Sequence, residues 1–263
     1  MNPEFAEAVA RLTEYVQAAL ATGGLVFLRV GAAMAFVPAF GEQVVPVRVR
    51  LVITLAFAVV LTPAMADRIA PMSHSLESFL AAALPEVIAG LVLGAGVRLF
   101  VIALQIAGTM AAQSTSLAQF FGGHGVDPQP ALSQLMLMGG LALAAITGLH
   151  VRLVEAFLIS YEVMPPGRLP GAGDVAQWGV AQVSRAFSMA FTFAAPFLIA
   201  ALLYNASLGV INRAMPQLMV VLIGAPAKVG GGLLMMLFVL PIAMRVWIDA
   251  FNSFLAAPFT GGP

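Results

Sequence analysis

Along the chain, uncharged apolar stretches alternate with short polar breaks, and the stretches approach the length of a membrane-crossing helix, about 20 residues. Two long ones meet at one break: no charge occurs from Leu99 to Val126, or from Pro128 to Val151. The break itself, residues 118–128, holds Phe120, Phe121, Gly122, Gly123, His124, Gly125 and Asp127 before Pro128. Its glycines free the backbone, and Pro128 bars Asp127 from helical geometry. The pattern predicts two helices joined by a flexible, aromatic-bearing loop. That loop reads either as the exposed turn of a transmembrane hairpin or as a segment that folds inward and blocks a path.

The flanks extend the pattern. Phe5, Val9, Leu12, Val16 and Leu20 recur at helical spacing and predict an amphipathic N-terminal helix, with Asn2 as cap and Pro3 in its first turn. From Ala21 the chain turns apolar around a single charge, Arg29. A punctuated loop ends in Arg48 and Arg50, which the positive-inside rule places in the cytoplasm. Leu51–Ala66 is apolar, Asp67–Glu86 reads as loop plus amphipathic turn, and Val87–Val97 is apolar again with a Gly90-x-x-x-Gly94 motif. Arg98 separates that run from the central pair, and Arg152–Arg185 is the longest polar region. Ala186–Asn212 carries Pro196 as an expected kink, Arg213–Lys228 reads as a second basic loop, and Val229–Met244 is apolar. The tail from Pro258 to Pro263 reads as disordered. Alternating the loops across a bilayer leaves one basic loop on the wrong side, so either one apolar run does not span or the helices do not cross conventionally.

Composition fixes the solvent. Of 263 residues, 61% are hydrophobic and 9% charged, with mean hydropathy +0.98, against about 25% charged in soluble domains. The fold class is all-α: polytopic, membrane-associated helical hairpins. Net charge is zero, only one of the 12 basic residues is a lysine (Lys228), and no Lys/Arg cluster exists to displace counterions from a phosphate backbone, so no nucleic-acid partner is expected. No cysteine is present, which removes disulfides, thiolate metal sites and thiol nucleophiles. An acidic N-terminus with Glu4, Glu7 and Glu14 does not read as a signal peptide.

Catalytic chemistry finds little to stand on. His74, His124 and His150 are isolated, residues 224–228 lack the length and hydroxyl of a P-loop, and no Gly-x-Ser-x-Gly elbow occurs. No catalytic residue, metal site or cofactor is expected, and no enzyme. Arg29, Glu86, Arg98 and Glu155 border apolar runs; they either line a transport path or pair between helices. Met136, Met138, Met215, Met219, Met235 and Met236 read as gap-fillers or as a compliant seal.

The run Arg29, Gly31, Met34, residues 38–41, Val45-Pro46 and residues 47–50 resembles the FliR family. So do Gln113, Leu117 and Asp127-Pro128, then residues 148–150, 165–167, 212–217 and 224–228, all in colinear order. The family is the flagellar branch of the type III secretion export gate, whose virulence relatives are called SctT. The resemblance implies a FliP-like portion over 1–185 and a FliQ-like helical hairpin with tail over 186–263. It implies a core structural subunit, seated in the inner membrane at the flagellar basal body. With FliP and FliQ it would form the channel for unfolded flagellar proteins. FlhB and FlhA are expected neighbours, export substrates transient partners and membrane lipid the surroundings. Phe120, Phe121, Gly122, Gly123 and Asp127 would belong to a plug. Arg48, Arg50, Arg213, Pro216, Gln217 and Lys228 would contact partners, Lys228 on a loop facing FlhB. The alternative class is an independent small-solute or ion transporter.

Overall fold

A computed structural model describes residues 3–38, 40, 45–72, 75–115, 130–215 and 220–259. Among these the chain is all helical, with no strand. Seven α-helices follow in order: α1 Pro3–Met34, α2 Val47–Ile69, α3 Leu76–Thr115, α4 Ala131–Ile146, α5 Leu149–Val163, α6 Ala172–Ala214 and α7 Val220–Ala256, with one 3-10 turn at Ala70–Met72. Five are long and apolar enough to cross a membrane, and the bent pair α4–α5 makes a sixth crossing if counted as one span.

The helices outrun the expected boundaries because isolated polar residues do not break them. The predicted amphipathic helix and the apolar run after it are one helix, α1. The expected loop over 67–86 shrinks: α2 runs to Ile69 and α3 starts at Leu76. Ser75 and Ser78 exchange side-chain and backbone hydrogen bonds at that start (3.2 and 3.3 Å), satisfying amides that a helix otherwise leaves open. Arg98, expected to end a run, lies inside α3. The long polar region 152–185 is mostly helix too, leaving only 164–171 between α5 and α6. The second basic loop is likewise short: α6 ends at Ala214, α7 begins at Val220, and Lys228 is helical. Pro63, Pro196, Pro226 and Pro241 all sit inside helices. Proline is tolerated in apolar helices whose neighbours re-satisfy the freed carbonyls.

The central pair also differs. The second apolar run is not one helix to Val151: α4 stops at Ile146 and the chain bends by 77° into α5. Gly148 makes the bend at φ +83, the left-handed region that a Cβ disfavours. The aromatic loop at 118–128 lies outside the described residues.

By packing, the chain divides into two compact units that interleave in sequence. One contains Met1–Arg98, His150–Val180 and Ser253–Pro263; the other contains Leu99–Leu149 and Ala181–Asn252. In the first, Leu25, Val26, Val30 and Met34 of α1, Leu61 and Ile69 of α2, Leu93 of α3 and Leu153 and Phe157 of α5 are buried. Phe57 and Phe157 meet edge to face, ring centres 6.5 Å apart. In the second, Trp247 stacks on Phe251 at 4.9 Å and donates its indole N–H to the Phe100 carbonyl at 2.9 Å. The expected tail disorder does not extend to Pro258, whose carbonyl accepts the Trp178 indole N–H at 2.9 Å within the first unit.

Candidate functional site

The most concentrated chemistry lies in the first unit, where α1 crosses α3. Gly90 and Gly94 stand on the face of α3 toward α1. A Cβ at Gly94 would come within 2.6 Å of the Ala33 carbonyl oxygen, and one at Gly90 would collide with the Arg29 carbonyl. Small residues four apart let two helix backbones touch, so the motif acts here as a helix-crossing device. That close approach sets Arg29 opposite Glu86, one turn before Gly90.

The two charges are almost completely buried, Arg29 at 1% exposure and Glu86 at 0%. Arg29 Nε donates to Glu86 Oε2 at 2.8 Å and Nη2 to Glu86 Oε1 at 3.0 Å. This is the bidentate fork that suits guanidinium to carboxylate. Nη2 also donates to the Met164 carbonyl at 3.0 Å and Nη1 to Ser160 Oγ at 3.2 Å. Ser160 in turn donates to the Phe157 carbonyl at 2.6 Å. The Gly167 amide donates to Glu86 Oε1 at 3.3 Å from a backbone at φ +69. Below the guanidinium lies the face of Tyr161, its centroid 3.7 Å from Arg29 Cζ, within cation–π range.

Burial makes this closure necessary, since each unpaired ion in such surroundings costs several kcal/mol. The glutamate oxygens already take three N–H donors, so the carboxylate is a strut rather than a base. Three helices and the 164–171 turn converge on one point, and the chemistry is that of a clamp. Of the four charges singled out at apolar borders, Arg29 and Glu86 pair with each other, whereas Glu155 is exposed on α5. Sequence spacing contained a sign of this: a lone arginine in one apolar run, and in another a carboxylate four residues before a Gly-x-x-x-Gly. Ser160, Tyr161 and the Met164 carbonyl carry no such sign, because they lie over 130 residues beyond Arg29.

The second unit holds a pocket of about 200 Å³, lined by Thr115 of α3, Ala201 and Tyr204 of α6, and Lys228, Gly232 and Met235 of α7. Gly232 faces Thr115, whose side chain a Cβ there would meet at 2.9 Å. The Tyr204 hydroxyl donates to the Gly224 carbonyl, tying α6 to α7. Lys228 is half-buried at this pocket.

The other expected contact residues scatter. Arg48 is exposed in the first turn of α2. Arg50 is half-buried, its Nε donating to the Phe40 carbonyl at 2.9 Å. Arg213 is exposed in the last turn of α6. Pro216 and Gln217 lie outside the described residues, as do the plug candidates Phe120, Phe121, Gly122, Gly123 and Asp127. Among the described residues, no group of three or more His, Asp or Glu side chains is arranged to hold a metal ion.

Comparison with known proteins then fixes the family. Residues 20–254 match the model for bacterial export proteins, family 1. The flagellar biosynthetic protein FliR of Caulobacter vibrioides is 31% identical over 233 residues, covering 88% of this chain and 93% of that protein. The proteins of the same name in Bacillus subtilis and Escherichia coli are each 26% identical, over 87% and 82% of this chain and 89% and 82% of theirs. With a match running from α1 into α7, and relatives covered over most of their length, the chain belongs to the FliR family of bacterial export proteins.

Proposed function

We propose that this chain is a core, non-enzymatic subunit of the flagellar type III export gate, forming with FliP and FliQ the channel for unfolded flagellar proteins. The observation that carries the reading is a polytopic apolar helical chain with a closed internal ion pair, matched over most of its length by relatives named for flagellar biosynthesis. It contributes walls and a clamp; energy comes from other export subunits and the proton-motive force, with FlhA and FlhB as neighbours. The setting is the inner membrane at the flagellar basal body, with lipid around the outer helices. In this reading residues 1–185 act as the FliP-like portion and 186–263 as the FliQ-like hairpin. Phe120, Phe121, Gly122, Gly123 and Asp127 serve as the plug. Arg48, Arg50, Arg213, Pro216, Gln217 and Lys228 serve as partner contacts, Lys228 toward FlhB.

Extraction of the tagged chain in mild detergent at native expression, followed by native mass determination, tests the assembly. One defined complex with FliP and FliQ is the expected result; a stable homo-oligomer without them would refute it and favour a transporter. Within an assembled gate, Phe120→Ala with Phe121→Ala should make the membrane leak ions, and unchanged permeability would remove those rings from the plug.

A further inference from the structure

Helix α3 combines two properties that conflict in lipid. It is the most apolar of the candidate spans and the most buried, yet the arc it leaves uncovered carries Gln105 and Thr109, both half-buried, and the exposed Gln113, with Ile102 among them and Ile106 and Met110 alongside. At 100° per residue the three polar residues lie within an arc of about 80°. The opposite side of the helix is closed: Ala103, Leu104, Ala107 and Ala111 are buried. Next to the stripe, α4 presses against the helix. A Cβ at Gly108 would lie 2.5 Å from Ser133 Cα, and Ser133 Oγ donates to the Gln105 carbonyl at 3.1 Å.

The hydroxyls of α3 are internally satisfied. Thr109 donates to the Gln105 carbonyl at 2.8 Å, Ser114 to Ala111 at 2.8 Å and Thr115 to Ala111 at 2.9 Å. The side-chain amides of Gln105 and Gln113 are different, making no hydrogen bond among the described residues. Each brings two donors and an acceptor to the uncovered face. A hydrocarbon environment supplies no partner for such groups, whereas water does.

We propose that Gln105, Thr109 and Gln113 form a water-facing stripe lining the path along which exported chains move. The inference rests on the export-channel reading and assigns a wall to it. The chemistry suits that cargo. An unfolded chain presents a backbone amide at nearly every residue, and a neutral amide wall exchanges hydrogen bonds with backbone and water alike. Having no charge, it holds neither acidic nor basic substrates.

The chain has no native cysteine, so Gln105→Cys, Thr109→Cys and Gln113→Cys each create a single thiol, with Val59→Cys in the middle of the exposed apolar face of α2 as control. Maleimide labelling requires a thiolate and therefore water. In membranes containing the assembled gate, a water-soluble maleimide should label the three stripe positions and leave the control unlabelled. Arresting a fusion substrate in transit should lower stripe labelling several-fold. Absence of labelling, or labelling indifferent to the arrested substrate, would overturn the proposal. As a measurement independent of thiols, Gln105→Leu with Gln113→Leu should slow export in gates assembled at normal level, while the Ser pair should retain it; equal export by both pairs would count against the stripe. Recovery of FliP and FliQ is scored for the unsubstituted chain and for each variant, so an unsubstituted chain recovered without them refutes the export-channel reading, and an assembled variant with a silent stripe refutes only this one.

Discussion

At the scale of single residues, the Arg29–Glu86 pair is where one atom matters most. Both ions are out of water, and each satisfies the other through two parallel hydrogen bonds. Removing one partner leaves the other buried and uncompensated, a loss of about 3–5 kcal/mol in comparable pairs. Glu86→Ala and Arg29→Ala should therefore each lower the thermal midpoint in detergent sharply. The double replacement Arg29→Met with Glu86→Leu should recover much of it, because no ion is then stranded. A double variant as unstable as the two single losses summed would show that the pair is not coupled. Tyr161 should behave in a graded way: Tyr161→Phe keeps the ring beneath the guanidinium, whereas Tyr161→Leu loses a cation–π contact of about 0.5–2 kcal/mol. Sequence alone locates Arg29 as an anomaly but not its solution, because partnership across three helices is set by their crossing and not by local pattern.

At the scale of elements, the crossing itself is testable. Gly94 lies where a Cβ meets backbone, the Ala33 carbonyl at 2.6 Å and its Cα at 2.9 Å, and backbone cannot swing aside as a flexible side chain does. Gly94→Val should separate α1 from α3 and weaken the ion pair remotely, read as a lower thermal midpoint comparable to the loss of Glu86. The next residue, Ala95, already carries a Cβ and is only half-buried; Ala95→Val is the matched control and should be tolerated. Helix existence was legible from the apolar runs, and so was the all-α class. Helix ends were not, for a consistent physical reason. Arg98, Arg152 and Lys228 resemble boundaries because charge normally marks solvent, yet long helices carry isolated charges once a few turns of packing hold them. The Thr147–Gly148 bend escapes the pattern for the converse reason: nothing in an uncharged run signals a turn except one glycine that needs positive φ.

At the scale of the whole molecule, the pressing fact is apolar surface without cover. On α2, Val52, Leu55, Val59 and Val60 are each more than half exposed; on α6 so are Leu202 and Leu203, and on α7 Leu234, Leu237 and Phe238. Exposed apolar faces this extensive mark contact with lipid or with other apolar chains. Water cannot be their solvent at equilibrium, which is the same conclusion composition reached, now assigned to particular faces. Helix α2 makes the cleanest test, because its uncovered face holds no polar residue between Leu51 and Val60. An aspartate in the middle of a membrane helix costs about 2.5–3.5 kcal/mol on insertion scales, enough to shift a helix from mostly inserted to mostly not. Val59→Asp should therefore expel α2 while the other spans hold the chain in the membrane, making a thiol at Leu55→Cys accessible to a water-soluble maleimide and abolishing motility, while Val59→Leu should do neither. Ala58→Asp, on the buried side of the same helix, should fail through packing instead, with α2 still inserted but the thermal midpoint lowered. If Val59→Asp leaves motility intact, the face of α2 touches water in the working protein, and the uncovered apolar surface belongs to a docking step rather than to the bilayer.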